Sequence, residues 1–308
     1  MRKAIITFGV GYQFEDIRYF LESCKKYCAE ADIYMYVGKN YKQLKKDCLK
    51  FENLHLIQYE ESVVPKVIAK VFSFVPGIQR KYATILRKLH LNSSLPKHHL
   101  QTIATPLLQF MVKRFFVIEK LMKQLPHDLF MLTDLRDVLL QADPFTEIDQ
   151  NTIITGIEPI KIHESEMNAR WIKNTFNETI FNTLKNFQVA CAGVTVGSRK
   201  AIVQYVNEMN DHVMANLPKI IGMLGPDQGI HIFLFYKGLA GLDTHLQSNG
   251  TGSIATLHYS TLDEFEAHAG LLNNKAQRKL AVIHQYDRHP ILASELRTSL
   301  IADFKRAS

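Results

Sequence analysis

The start of the chain switches between two hydrophobic periods. AIITFGV is a continuous apolar run of strand length, after which Phe14, Ile17, Phe20, Leu21, Cys24 and Cys28 recur at the spacing of one helix face. ADIYMYVG reads as a second strand, Tyr41, Leu44 and Cys48 as a second helix face, and NLHLIQY as a third strand. This alternation opens a mostly parallel sheet with helices on both faces, so the expected class is α/β.

Residues 60–105 break the rhythm. SVVPKVIAKVFSFVPGIQRKYATILRKLHLNSSLPKHH is basic, amphipathic and interrupted by Pro65, Pro76 and Pro96, which marks a helical insertion. Val63, Val67, Val71 and Phe74 form an apolar stripe beside Lys66, Lys70, Arg80, Lys81, Arg87 and Lys88. Such a pattern suits either a helical cap packed on its own domain or peripheral contact with an anionic membrane. Beyond it the sequence predicts a helix from about Thr105 with Pro106 in its first turn, a buried strand LFMLTD, and a strand VACAGVTVGS with a small-residue turn. A helix opened by Pro226 and Asp227 and a late strand KLAVIHQYDRHP follow.

Composition narrows the class. A chain of 308 residues, 46% hydrophobic and 22% charged, supports a full core, and no Pro-, Gly- or Ser-rich linker divides it, so one domain over 1–308 is expected. The amino terminus, MRKAIITFGVGYQFEDI, holds too short an apolar run for a secretory signal, and no stretch reaches the roughly 18 apolar residues of a span. A cytoplasmic location is the expectation, with the inner face of a membrane open to the basic insertion. Four cysteines without a close CxxC pair indicate neither a disulfide framework nor a zinc site, and Cys24 and Cys28 read as buried free thiols. The net charge of +7 favours an anionic partner, but without a zinc finger, RNP-like motif or basic coil that partner is not nucleic acid.

The candidate chemistry sits where apolar runs end. LFML passes into TDLRD, and VIHQYDRHP ends another run in His284, Asp287, Arg288 and His289. In open α/β sheets the ligand crevice lies beyond the carboxyl ends of the strands. Asp134 and Asp137 at such an end repel each other, and a divalent cation converts that repulsion into binding. Oxygen ligands suit magnesium or manganese, and the imidazole of His284 moves the preference towards manganese. For Asp134, Arg136 and Asp137 alone, an ion-pair network closing the strand is the alternative. Gly9 and Gly11 do not form GxGxxG, so no dinucleotide cofactor is expected.

Taken in order, TDLRDVLLQADPF, CAGVTVGS, PDQGIHIFLF and VIHQYDRHP resemble a family of nucleotide-diphospho-sugar transferases with the GT-A glycosyltransferase fold. The resemblance implies metal-dependent transfer of a sugar, hexosyl-like and leaning to retention of configuration, in glycan or surface polysaccharide synthesis. The donor would be a UDP- or GDP-sugar, and the acceptor a hydroxyl of a glycan, a lipid-linked sugar or another molecule.

The family's DxD motif, which holds manganese or magnesium and the donor diphosphate, corresponds to Asp134 and Asp137, although Asp-Leu-Arg-Asp is one residue longer. His284 matches the histidine that completes the metal site. The resemblance also implies that Ala192 and Gly193 let backbone approach the donor sugar, that Asp227 and Gln228 bind its hydroxyls, and that Arg114 lies near the nucleotide. Thr7, Phe8 and Gly9 would cradle base and ribose, and Arg136 or Arg288 would meet the phosphates. An inverting reaction needs a base, for which Asp227 or Asp287 is the candidate, and Ile232 stands where relatives carry Asn. Trp171 is a stacking platform or a core residue. The rivals are a metal-dependent phosphohydrolase, whose DxDGT nucleophile motif is missing from the first strand, and a non-catalytic membrane-binding module.

Overall fold

A computed structural model describes residues 1–60, 67, 68, 70, 72, 77–268 and 271–307. The expected opening is present as β1 (Lys3–Gly9), a helix at Phe14–Tyr27, β2 (Ala31–Val37), a helix at Tyr41–Asp47 and β3 (Leu54–Gln58). Then come β4 (Leu129–Thr133), β5 (Val138–Leu140), β6 (Thr152–Lys161), β7 (Gln188–Ser198), β8 (Asp243–Gln247), β9 (Ile254–Thr256), β10 (Phe265–His268), β11 (Leu271–Asn274) and β12 (Val282–His284). The main sheet is seven-stranded in the order β3-β2-β1-β4-β7-β6-β8, and β7 runs against the other six. The chain is thus an α/β protein with a mostly parallel mixed sheet flanked by helices.

Side-chain alternation along the central strands builds two cores. Ala4 and Ile6 of β1 join Phe130 and Leu132 of β4 beneath the helices at Phe110–Met122 and Arg199–Ala215. Ile5, Leu129 and Met131 point the other way, onto the Phe14–Tyr27 helix and onto Val138, Leu140 and Val282. Both faces being covered, these strands are uninterrupted apolar runs. Val138, Leu140 and Val282 belong to a second sheet, β5-β12-β9, whose outer side carries Leu139 and Ile283 against the carboxyl-terminal helix Pro290–Ala307.

Several expectations change. The helix expected from Thr105 is a short 3-10 turn, Thr105–Leu107, followed by an extended Leu108 and a helix starting at Phe110. The Leu107 carbonyl, which a continuing helix would use internally, accepts from the Gly222 N–H at 3.2 Å. No turn interrupts VACAGVTVGS: Ala192 and Gly193 lie inside β7, where between the pairs Thr155–Thr195 and Ile157–Ala190 one residue of β6 faces four of β7, and the surplus bulges. The late strand stops at His284, because Gln285 adopts a left-handed conformation (φ 58) and Tyr286–Arg288 form a 3-10 turn.

In the insertion, Val63, Pro65, Lys66, Val71, Phe74 and Pro76 lie outside the described residues. The helix at Ile78–Asn92 buries Ala83 and Leu86 in the main core, Arg87 Nε donates to the Ala215 carbonyl (2.7 Å), and Lys97 pairs with Asp211 (2.6 Å). These residues form a helical cap on their own core. Among the described residues no helix is long and apolar enough to cross a membrane, and the cysteines Cys24, Cys28, Cys48 and Cys191 are free and buried.

Leu86 is 1% exposed, so Leu86→Ala should cost about 2–5 kcal/mol in urea unfolding. An unchanged midpoint would mean that the cap is energetically detached from the core.

Candidate metal centre

The centre forms where the chain crosses from one sheet to the other. β4 ends at Thr133, and after Asp134, Leu135, Arg136 and Asp137 the chain enters β5. The Asp134 N–H donates to the Gly193 carbonyl at 2.8 Å, which extends the β4–β7 ladder by one bond. In the second sheet the antiparallel register pairs Val138 with His284, and the Gln285 N–H donates to the Asp137 carbonyl at 2.7 Å. Asp137 and His284 therefore become neighbours.

One ligand atom from each of Asp134, Asp137 and His284 lies within 4.8 Å of the others. The His284 Nε2 is 3.8 Å from Asp134 Oδ2 and 3.9 Å from Asp137 Oδ2, too far for hydrogen bonds, and it is buried without a hydrogen-bond partner. A native fold rarely leaves such an atom unsatisfied unless something else binds it. Burial holds the Asp137 carboxyl above its ordinary range, opposed by His284 and reinforced by Asp134 and Asp287. A cation between the carboxylates would reverse that balance. Two carboxylates and an imidazole facing one point can hold a divalent ion such as manganese or magnesium.

The imidazole is fixed from below. A Cβ on Gly193 would overlap the His284 ring, so glycine is the residue that admits the ring to its seat. The His284 Nδ1 lies 3.6 Å from the Cys191 sulfur. Burial pushes the Cys191 thiol well above its usual range, so it keeps its proton, which it shares with Glu158. The sulfur contact engages Nδ1 and leaves Nε2 as the ring nitrogen turned towards the two carboxylates. Burial pushes Glu158 itself up to about 7, eased by the Cys191 hydrogen bond. Cys191 opens the CAGVTVGS segment without a role of its own there, and Glu158 sits unmarked in an apolar run.

Arg114 ties the centre to the next element. Only 7% exposed, it donates to Asp134 Oδ1 at 3.0 Å and stands 3.5 Å from Asp227 Oδ2. Asp227 occupies the first turn of the Pro226–Phe233 helix, whose cap is Gly225 (φ 78) rather than Asp227 itself. Burial raises the Asp227 carboxyl to about 6, with Arg114 pulling down and Asp134 pushing up. Beneath them His231, driven down to about 3 by burial and by Arg114, is held by the Tyr205 hydroxyl at 2.8 Å and Thr155 at 3.3 Å. It is a neutral core histidine.

A pocket of about 270 Å³ opens over these groups. Arg114, Asp134, Ala192, Gly193, Asp227, Gln228, His284 and Arg288 line it, so eight of the residues singled out in the sequence meet there. Trp171 lines it too, half-buried, its ring packed into space that a Cβ on Gly225 would fill. Gln285, His258 and Tyr259 also line it, without having been anticipated.

Arg136 and Asp287 stand beside the pocket, joined at 3.5 Å, with Arg288 Nε 3.8 Å from Asp287 on its other side. Gln228 spends both amide atoms on the β7 bulge, donating to the Ala190 carbonyl (2.6 Å) and accepting from the Ala192 N–H (2.9 Å). These two bonds replace ladder partners that the bulge loses. Thr7, Phe8 and Gly9 do not line the pocket. Thr7 is fully buried and donates to the Thr133 carbonyl (2.9 Å), Phe8 stacks on Tyr36 (5.0 Å between centroids), and Gly9 makes room for Met35 and Leu135. Ile232 is buried in the core.

No protein-family model matches the chain, and no curated protein is similar enough to match it.

Two measurements test the seat of His284. Gly193→Ala should weaken manganese binding, followed by electron paramagnetic resonance of the free ion, by about tenfold or more, the size expected of losing one ligand's support. Glu158 binds its proton more tightly folded (about 7) than its ordinary 4.5, so it favours the fold at acid pH, and that contribution fades as pH rises through this window. Glu158→Gln should therefore flatten the fall in melting temperature across the same window; an unaltered slope would place Glu158 in water.

Proposed function

We propose that the chain is a GT-A-type glycosyltransferase that moves a sugar from a nucleoside diphosphate, UDP or GDP, to an acceptor hydroxyl. The observation that carries the reading is the unpartnered, buried Nε2 of His284 facing Asp134 and Asp137 at the carboxyl end of β4, at the base of a pocket edged by arginine and a tryptophan. A sheet of six parallel strands with one reversed is compatible with the GT-A arrangement. The four sequence segments that resemble the family meet around this pocket, from Asp134 through Gly193 and Asp227 to His284 and Arg288.

Asp134, Asp137 and His284 would hold manganese, or magnesium. When bound, the cation supplies positive charge against the diphosphate oxygens, which gain negative charge as they leave. Arg288 lines the pocket and presents its guanidinium to the same oxygens, while Asp287 holds Arg136 alongside. The half-buried ring of Trp171 offers an apolar face to a sugar, since Gly225 packs against the ring and Gly229 against the Trp171 backbone and Cβ.

Asp227 is the carboxylate best placed for the sugar end of the pocket. Raised to about 6, it is mostly ionised at neutral pH and accepts a hydroxyl proton more readily than an ordinary aspartate. In an inverting reaction it, or Asp287, would deprotonate the acceptor. In a retaining reaction Asp227, anchored by Arg114, would orient a sugar hydroxyl while the departing phosphate takes the proton.

Manganese with UDP or GDP should stabilise the fold, as ligands that bind only the folded state do, by about 2.7 kcal/mol at a hundredfold excess over Kd, and so raise the melting temperature. Asp137→Ala and His284→Ala should lose the manganese-dependent part of that shift. If both variants respond as the parent does, the cluster holds no metal and the reading fails. Hydrolysis of nucleotide sugars with manganese, screened across donors, should release one free sugar and its nucleoside diphosphate preferentially, and cleavage to a nucleoside monophosphate and a sugar phosphate instead would point to a phosphohydrolase.

A further inference from the structure

The positive charge of the chain is concentrated. Residues 62–118 contain nine Lys or Arg and no Asp or Glu, more than the whole net charge of +7, so the remainder is slightly acidic. Within this acid-free tract the Ile78–Asn92 helix has its inward face fixed in the core by Ala83 and Leu86. Its outward face follows from helical spacing: Lys81, Ile85, Lys88 and Leu91 stand three or four residues apart and share one stripe. Ile85 is 55% exposed and Leu91 50%, and Leu95, in the turn just after, is also 50% exposed. Arg80, Lys81 and Lys88 are exposed and pair with no carboxylate among the described residues.

Ile85, Leu91 and Leu95 thus set apolar side chains beside lysines on the face turned away from the core. We infer that this outward stripe docks the protein on the surface of an anionic lipid bilayer. Charge complementarity sets the sign of the partner, since Arg80, Lys81 and Lys88 pair with no carboxylate among the described residues. The exposed isoleucine and leucines separate a bilayer from other polyanions. A lipid surface accepts apolar side chains into its headgroup boundary while the lysine stems run up to the phosphates, whereas a nucleic acid or acidic polysaccharide offers Ile85 and Leu91 nothing to bury against. The inference goes beyond the transferase reading and does not rest on it, because the stripe shares no residue with the pocket.

Flotation of the full chain with unilamellar vesicles tests it. The protein should float with vesicles of phosphatidylcholine containing about a third phosphatidylglycerol, should not float with phosphatidylcholine alone, and should be released by salt at about 0.5 M. Lys81→Glu with Lys88→Glu should reduce the bound fraction by about tenfold or more, and Ile85→Ser with Leu91→Ser by about fivefold. Melting temperatures should stay at the parent value, these side chains being exposed; if the charge reversal lowers it, the pair Lys81→Gln and Lys88→Gln is read in its place. Equal binding to neutral vesicles, or undiminished binding by the lysine pair, overturns the proposal. So does binding to heparin that is as tight as to vesicles and indifferent to Ile85→Ser with Leu91→Ser, which would mark a general polyanion surface.

Discussion

The candidate centre depends on a single steric concession, the missing side chain of Gly193 beneath the ring of His284. The histidine arrives from β12 in the smaller sheet, the glycine belongs to β7 in the larger one, and any β-carbon at that point would force the two sheets apart. Because the ring is admitted, Asp134 can bond the Gly193 carbonyl from one side while Asp137, one residue before the strand paired with β12, closes from the other. The carboxylates and the imidazole converge because two sheets are stitched by four residues between β4 and β5.

That stitching loads like charges and unpaired polar atoms into a confined volume. The molecule offsets them locally. Arg114, buried on the Phe110–Met122 helix, stands between Asp134 and Asp227 and cancels part of their repulsion. Gln228 repairs the backbone bonds that the β7 bulge gives up. At the site His284 Nε2, Gln285 Oε1 and Asp287 Oδ1 are buried without hydrogen-bond partners, as are atoms elsewhere such as Arg18 Nε and Asn210 Oδ1, and Gln285 also holds a left-handed backbone. Unsatisfied groups and strain gathered around a pocket are the usual mark of a site built for a ligand rather than for the fold.

The helical cap serves a different balance. Its inward side chains are ordinary core, and its cation-rich outer stripe is separated in sequence and in packing from the acidic centre. The cationic stripe and the acidic centre thus use different arginines and lysines.

The sequence by itself determined the α/β class, the opening strand and helix alternation, the buried thiols and the identity of the acidic and imidazole groups at two strand ends. These are local properties, carried by the period of apolar residues and by where each run stops. It did not determine that the small-residue segment at Ala192–Gly193 is a bulge inside a strand, that Gln228 is spent on backbone, or that Thr7 turns inward. Nor did it show Cys191 and Glu158 behind His284. Each of those outcomes depends on which strand lies alongside, in what register, and on what fills the space next to a missing side chain. Such facts are set by contacts between residues tens to hundreds of positions apart, and local periodicity carries no record of them.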